Sequence, residues 1–416
     1  MRTFVTSLLA TAAVAFGAPV AEINEPAGPL SLKQALALTL ARSPELAAFD
    51  HDIRIAEARM LQARLRPNPE IEFTSENVAG PANDVAEHTL MLGQLIELGG
   101  KRRARVAQAR AGRSLAEFDY ETKKREVFLK TAEHFVDLLA AQRRVVVNEE
   151  LVRLAGAFAS GVERRLEAGK ASDLEKTRFD VAIASARIDL DEARSDVLAF
   201  RHRLAAQWGS TKPRFEAAVG NLDAIAATPS LDTLARSLAA NPRLARFGSE
   251  IAQREAALAR EKAAAVPDLT VRAGPRQLSA TNDTTAVVGF SVPLPLWNRN
   301  EGNIRAAREQ VGRAGAERAG AAATLMAELN EAYQTAGRSR SAIQSLRERV
   351  LPGAESALRA TNDGYEAGRY SYLDVLDARR TIGAARIQYL QAATDYHKAL
   401  HRIEALTADP RPHNLP

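Results

Sequence analysis

A mainly α-helical fold with a small β part is predicted, built from a helix–β-hairpin–long-helix–helix unit that occurs twice. The 416-residue chain repeats its landmarks at a nearly constant offset. Two stretches hold an apolar heptad seam over several repeats, and each half carries two short segments with alternating side chains. Length agrees, because a chain this long exceeds one ordinary core and calls for two domains or a repeat.

The repeat is read by shifting the chain 198 places along itself. Ser43-Pro44-Glu45-Leu46 then meets Asn241-Pro242-Arg243-Leu244, and Pro69-Glu70-Ile71 meets Pro267-Asp268-Leu269. Ile96-Glu97-Leu98 meets Leu294-Pro295-Leu296. A shift this steady argues for duplication. It divides the chain into a leader at 1–17, a linker at 18–30, a first repeat at 31–210, an inter-repeat linker at 211–229, a second repeat at 230–406 and a tail at 407–416.

The leader reads as an export signal: Arg2, a mostly apolar run from Phe4 to Phe16, and small residues at Ala15-Phe16-Gly17 for cleavage. The run is shorter than the roughly 20 residues that span a bilayer as a helix, and no later segment is long and apolar enough.

Strands are expected near 70–77 and 88–95, separated by loop chemistry at Ala79-Gly80-Pro81-Ala82-Asn83-Asp84. A second pair is expected near 269–273 and 286–294, with Thr281-Asn282-Asp283-Thr284 between. Val288, Phe290 and Val292 alternate with Val287, Gly289 and Ser291, which gives one more apolar face. Soluble hairpins packed on helices and strands of a membrane barrel share this signature. Four strands are too few to close a barrel, which takes about eight in the smallest single-chain cases. The hairpins are therefore either soluble or pooled between copies of the chain in a ring.

Long helices follow the strands, over about 100–168 and 299–367, the second interrupted at Leu351-Pro352-Gly353 by the missing proline donor. The returning helices carry the seams. Val375, Ile382, Tyr389, Tyr396 and Ile403 recur every seven residues, with Ala378, Ala385, Ala392, Ala399 and Leu406 three places later. Ile183, Leu190, Val197 and Leu204 repeat the pattern against Phe179, Ala186, Ala193 and Phe200.

Each helical pair ends in a sharp turn, at 167–172 and 366–371. Gly368 suits the left-handed residue that closes a helix, Ser371 the cap of the next, and Asp374 the positive end of its dipole. Glu167-Ala168-Gly169-Lys170-Ala171-Ser172 repeats this chemistry, with Glu175 in the place of Asp374.

Basic residues number 56 against 51 acidic, a net charge of +5, and the signs interleave along the chain. That is a solvated helix surface and not a nucleic-acid stripe. The one basic cluster, Lys101-Arg102-Arg103-Ala104-Arg105, opposes a helix dipole, and anionic lipid headgroups are one partner that would offset the cost. No cysteine is present for a disulfide, a thiolate metal site or a lipid anchor. His397 and His401 lie four apart, a spacing for two metal ligands, but no third ligand is evident. There is no phosphate loop, no cofactor motif and no nucleophile–base pair, so no cofactor and no enzymatic activity are expected.

After its leader the chain resembles the outer membrane efflux proteins, the TolC-like family. The resemblance rests on Ser31-Leu32-Lys33-Gln34-Ala35-Leu36, Ser43-Pro44-Glu45-Leu46 and Asp374-Val375-Leu376-Asp377-Ala378, in order and duplicated. Gln94-Leu95-Ile96-Glu97-Leu98-Gly99-Gly100-Lys101-Arg102 and Pro293-Leu294-Pro295-Leu296-Trp297-Asn298-Arg299 resemble its heavy-metal branch, that of CzcC and CusC. The resemblance implies a homotrimer: a twelve-stranded outer-membrane barrel over an α-helical periplasmic tunnel, the exit duct of a resistance–nodulation–division pump for cations such as cobalt, zinc, cadmium or copper. It implies a periplasmic adaptor at the hairpin ends, Ala168, Gly169, Lys170, Ala367, Gly368 and Arg369, besides the inner-membrane pump and outer-membrane lipid. Asp374 and Asp377 match the acidic residues of the closed periplasmic entrance and Tyr365 the gating tyrosine, whereas Tyr370 stands where a basic gate residue is expected. Three copies of both aspartates around an axis would form rings that gather cations, and clustered carboxylates raise one another's pKa. Two other readings remain open: a multidrug duct of the same fold, and a soluble periplasmic coiled-coil scaffold or adaptor.

Overall fold

The computed structural model describes residues 25–78, 86–169 and 171–407. The leader, the loop Ala79 to Asp84, Lys170 and the tail from 408 onward lie outside the described residues.

β1 (Leu30–Ser31) leads into α1 (Leu32–Arg42), where Ser31 and Gln34 form a reciprocal capping box. α2 (Pro44–Ala63) begins on a proline, which fits the first helical turn because its missing N–H would have no partner there. Then come β2 (Glu70–Glu76), β3 (Glu87–Ile96), α3 (Lys101–Glu167) and α4 (Asp173–Ala206). α3 has 67 residues, about 100 Å at the α-helical rise. β4 (Ala218–Val219) pairs in parallel with β1 and ties the inter-repeat segment to the start of the first unit.

The second unit opens on α5 (Leu231–Ser237) and α6 (Pro242–Ala264), again a proline start, now capped by Asn241. β5 (Leu269–Leu278), β6 (Asp283–Ser291) and α7 (Glu301–Ser345) follow. Beyond α7 a π turn at Leu346–Val350 leads into α8 (Leu351–Glu366), and α9 (Tyr372–Thr407) returns. The expected interruption at Pro352 is thus a continuous helix with one widened turn. Proline has no N–H for the carbonyl of residue 348 and its ring presses on it; the π turn absorbs that distortion.

The second hairpin differs from expectation at both ends. β5 runs five residues further, through Gly274 and Pro275 to Leu278, and the turn is at 279–282, with Asp283 already in β6. The β3–β5 ladder skips Leu90 and Met91 opposite Gly274 and Pro275, so the proline sits where an absent donor costs little. A Cβ on Gly274 would lie 1.8 Å from the Leu90 carbonyl oxygen, so only glycine allows the two backbones to approach there. Asn282 takes the left-handed conformation that closes the turn.

β2, β3, β5 and β6 form one antiparallel sheet in that order. The helices α2, α3, α6 and α7 hang from it and pack in the same order. The main core lies at the waist, where Phe135 of α3, Leu204 of α4, Leu325 and Leu329 of α7, and Tyr396 of α9 are buried together. Tyr396 donates its hydroxyl to the Ala226 carbonyl, pinning the inter-repeat segment onto the last helix. The α9 seam is buried or half-buried along its whole length, from Val375 to Leu406.

Candidate functional site

Two regions of the fold bear on function, the sheet at one end and the pair of helical turns at the other. In the sheet, cross-strand pairing aligns Ile71, Leu92, Ala273 and Val288 in one row, with Phe73 and Phe290 on the same side. Ile71 is 78 % exposed, Phe73 66 % and Phe290 81 %. The opposite side is polar and internally paired. Arg272 meets Glu72 at 3.2 Å, and Arg276 meets Glu87 at 3.0 Å and Glu76 at 3.8 Å. A soluble hairpin buries its apolar side on helices; this sheet leaves it bare and keeps its charges on the other, the pattern of a membrane barrel wall with a wet interior. Strands of seven to ten residues suit a tilted crossing. β2 and β6 each leave one edge unpaired among the described residues.

At the far end the sequence-predicted turn chemistry is in place. Gly169 and Gly368 have φ of 67° and 72°. Ser172 caps Glu175, and the Ser371 hydroxyl and amide both donate to the Asp374 carboxylate, at 2.7 and 2.8 Å. Those two bonds hold the Asp374 carboxyl below the ordinary carboxylate range, opposite in direction to carboxylate crowding. Asp374 and Asp377 are both exposed on the first turns of α9. Ala168, Gly169, Ala367, Gly368 and Arg369 are exposed at the turns. Lys170 lies outside the described residues.

Tyr365 sits elsewhere than at an open wall. It is 4 % exposed, inside a cluster with Phe158, Phe179 and Tyr372 that joins the two helical hairpins. Phe158 lies 5.0 Å from both Phe179 and Tyr365 between ring centres, and Tyr372 packs edge-on to Phe179 at 4.5 Å. Two arginines bind the cluster. Arg165 of α3 lies 4.5 Å over the Tyr365 ring and donates to the Tyr365 carbonyl at 2.6 Å, capping α8 from the other hairpin. Arg379 of α9 lies 4.5 Å over Phe158 and donates to the Leu154 carbonyl at 2.8 Å. Burial pulls the Arg379 pKa down to about 10, which leaves it cationic at neutral pH. The Tyr365 hydroxyl donates to Glu175 at 3.4 Å, and burial, with that carboxylate adding to it, raises the phenol pKa. Tyr370, found where a basic residue was expected, fills the space over Gly364, where a Cβ would come within 2.0 Å of its ring. Sequence reading missed this arginine–aromatic clamp. Its one signal was the gathering of scarce aromatics within nine residues of the two turns, at Phe158, Phe179, Tyr365 and Tyr372.

His397 and His401 are buried on α9. His397 bonds the Leu222 carbonyl at 3.0 Å and His401 the Glu404 carboxylate at 3.0 Å. Among the described residues no three histidines, cysteines or carboxylates converge as a metal site.

The sequence pattern of the family described as Outer membrane efflux protein matches residues 35–210 and 233–409, one match for each unit. The chain is 36 % identical to the cobalt-zinc-cadmium resistance protein CzcC of Cupriavidus metallidurans, over 91 % of this chain and 92 % of that one. It is 28 % identical to the nickel and cobalt resistance protein CnrC of the same species, over 69 % and 68 % of the two chains. A crystal structure of CusC superposes with a TM-score of 0.78 over 90 % of this chain and 91 % of that one, at 18 % identity. The exposed apolar sheet face, the duplication and these matches agree, and the chain belongs to the outer membrane efflux protein family.

Proposed function

We propose that this outer-membrane protein is the exit duct of a tripartite efflux system whose cargo is a heavy-metal cation such as cobalt, zinc, cadmium or copper. The likeness to the cobalt-zinc-cadmium resistance protein, held over nine-tenths of both chains, carries the reading. Three copies pool twelve strands into a barrel. Two sheet edges per chain left unpaired among the described residues support that count, as does an exposed apolar stripe on α4, Leu174, Val181 and Ile188. Ala168, Gly169, Lys170, Ala367, Gly368 and Arg369 meet a periplasmic adaptor that links the duct to an inner-membrane resistance–nodulation–division pump. Asp374 and Asp377 line the entrance as acidic rings, and the buried Tyr365 belongs to the closed arrangement. The duct performs no reaction on its cargo and needs no cofactor.

A strain lacking the chain is expected to lose tolerance of one or more of these cations several-fold, and a plasmid copy to restore it. Unchanged metal tolerance beside lost tolerance of organic toxicants would assign the duct to multidrug efflux.

A further inference from the structure

The foot of the sheet carries an imbalance of charge that the duct does not use. Eight basic residues fall within the stretch 101–124 of α3. Five of them are paired: Lys101 with Asp268 at 2.7 Å, Arg105 with Glu97 at 2.5 Å, Arg113 with Glu57 and Glu117, Lys123 with Glu45, and Lys124 with Glu121. Arg102, Arg103 and Arg110 have no carboxylate partner among the described residues, and all three are exposed. Arg102 only donates to the Arg64 carbonyl. Cations in the first turn of a helix oppose its dipole, and no carboxylate among the described residues offsets that cost at Arg102 and Arg103.

Their direction shows what would. Asp268 and Glu97 continue the alternation that puts Arg272 and Glu87 on the polar side of the sheet. Lys101 and Arg105, bound to them, therefore lie beneath the polar side. Arg103 is two residues from each, about 200° around the helix, and Arg110 lies seven residues further on the same stripe. Arg103 and Arg110 thus lie beneath the bare apolar side, with Val106 and Ala107 flooring a shallow groove between the arginines. The height is fixed as well. Gly99 and Gly100 join strand to helix with φ of 65° and 75°, and a Cβ on Gly99 would come within 2.7 Å of Val266. The joint is tight, and the first turn of α3 is held directly under the end of β3. At the same foot Leu294 and Trp297 follow β6 fully in the open, Trp297 at 94 % exposure, as suits the boundary between acyl chains and water.

We propose that Arg102, Arg103 and Arg110 form a site for the phosphate headgroup of an anionic phospholipid in the leaflet that faces the periplasm. The guanidinium groups supply forked donors for phosphate oxygens, and Val106 and Ala107 leave room for the glycerol region. The site rests on the outer-membrane placement and not on the cargo, so loss of one leaves the other standing.

The test uses the full chain reconstituted in nanodiscs of equal phosphatidylglycerol and phosphatidylcholine, with retained lipid counted by native mass spectrometry. Retention of phosphatidylglycerol is expected to exceed that of phosphatidylcholine on the order of tenfold, and to fall as salt rises. The combined variant R102Q/R103Q/R110Q is expected to abolish the preference, the corresponding triple lysine variant to keep most of it, and R113Q, which removes an already paired cation, to leave it unchanged. Metal tolerance should be unaffected by all of these. Equal retention of the two lipids by the unaltered protein overturns the proposal, and that arm stands even if the glutamine variant fails to assemble. A preference that survives in the glutamine variant also overturns it. So does displacement of the lipid by millimolar inorganic phosphate, which would make the groove a phosphate site.

Discussion

Arg379 and Arg165 are the residues that tie the two helical hairpins together. Each lays a cation on an aromatic ring of the opposite hairpin and gives a hydrogen bond to a backbone carbonyl there. Arg165→Ala combined with Arg379→Met is expected to raise the open probability of reconstituted channels, since both ties between hairpins are lost while the apolar packing stays. Single-channel recording checks this, and an unchanged open probability removes the clamp. Asp374, held ionised by Ser371, and Asp377 are expected to favour cations, and D374N/D377N to lower cation over anion permeability; unaltered reversal potentials would dismiss the rings. His134 on α3 supplies a pH dependence. Burial sets its pKa below the ordinary 6.5, against the pull of Asp137 and Glu133 and with the push of Lys398 and Arg203. Its folded value is depressed, so the unfolded chain takes the proton first as pH falls. The stability it contributes is whole above pH 6.5 and is lost as pH drops through the folded value. Melting temperature is expected to decline across that window, and less so in H134Q. The capping residues at this scale were legible, because Gly368, Ser371 and Asp374 act through bonds within a few residues of sequence. The clamp was not, because Arg165 and Tyr365 are joined only by the packing of two hairpins.

At the scale of elements, the four strands and their helices show where local chemistry and tertiary context part. Glycine and proline at 274 and 275 read as the end of a strand, yet the ladder continues because a skipped pairing on the β3 side tolerates both. Gly274→Val is expected to prevent folding of the sheet, since even one carbon there meets the Leu90 carbonyl, and loss of the heat-modifiable form on gels measures it. Val288→Arg, midway along β6, tests the apolar face. Near the bilayer midplane it should cost about 2–4 kcal/mol per chain in lipid, and almost nothing if that face met water. The alternation of Val288 and Phe290 was legible from the start. Which of two environments it served was not, since only cross-strand register reveals that the charges of Glu72, Arg272, Arg276 and Glu87 share the opposite side.

For the whole molecule, duplication gave the plan, and the steady offset between units survives as two family matches end to end. The oligomer is written in what one chain leaves uncovered. Val181→Asp with Ile188→Asp, on the exposed stripe of α4, is expected to shift chemically cross-linked protein from trimer to smaller species; an unshifted trimer would mean that stripe faces solvent. The unpaired edges of β2 and β6 have a cost of their own. A newly exported copy that has not met its siblings offers two sticky ribbons and an oily flank to every other unfolded polypeptide around it. Its survival in transit is therefore a race between encounter and clumping, most acute when synthesis is slow and siblings are few.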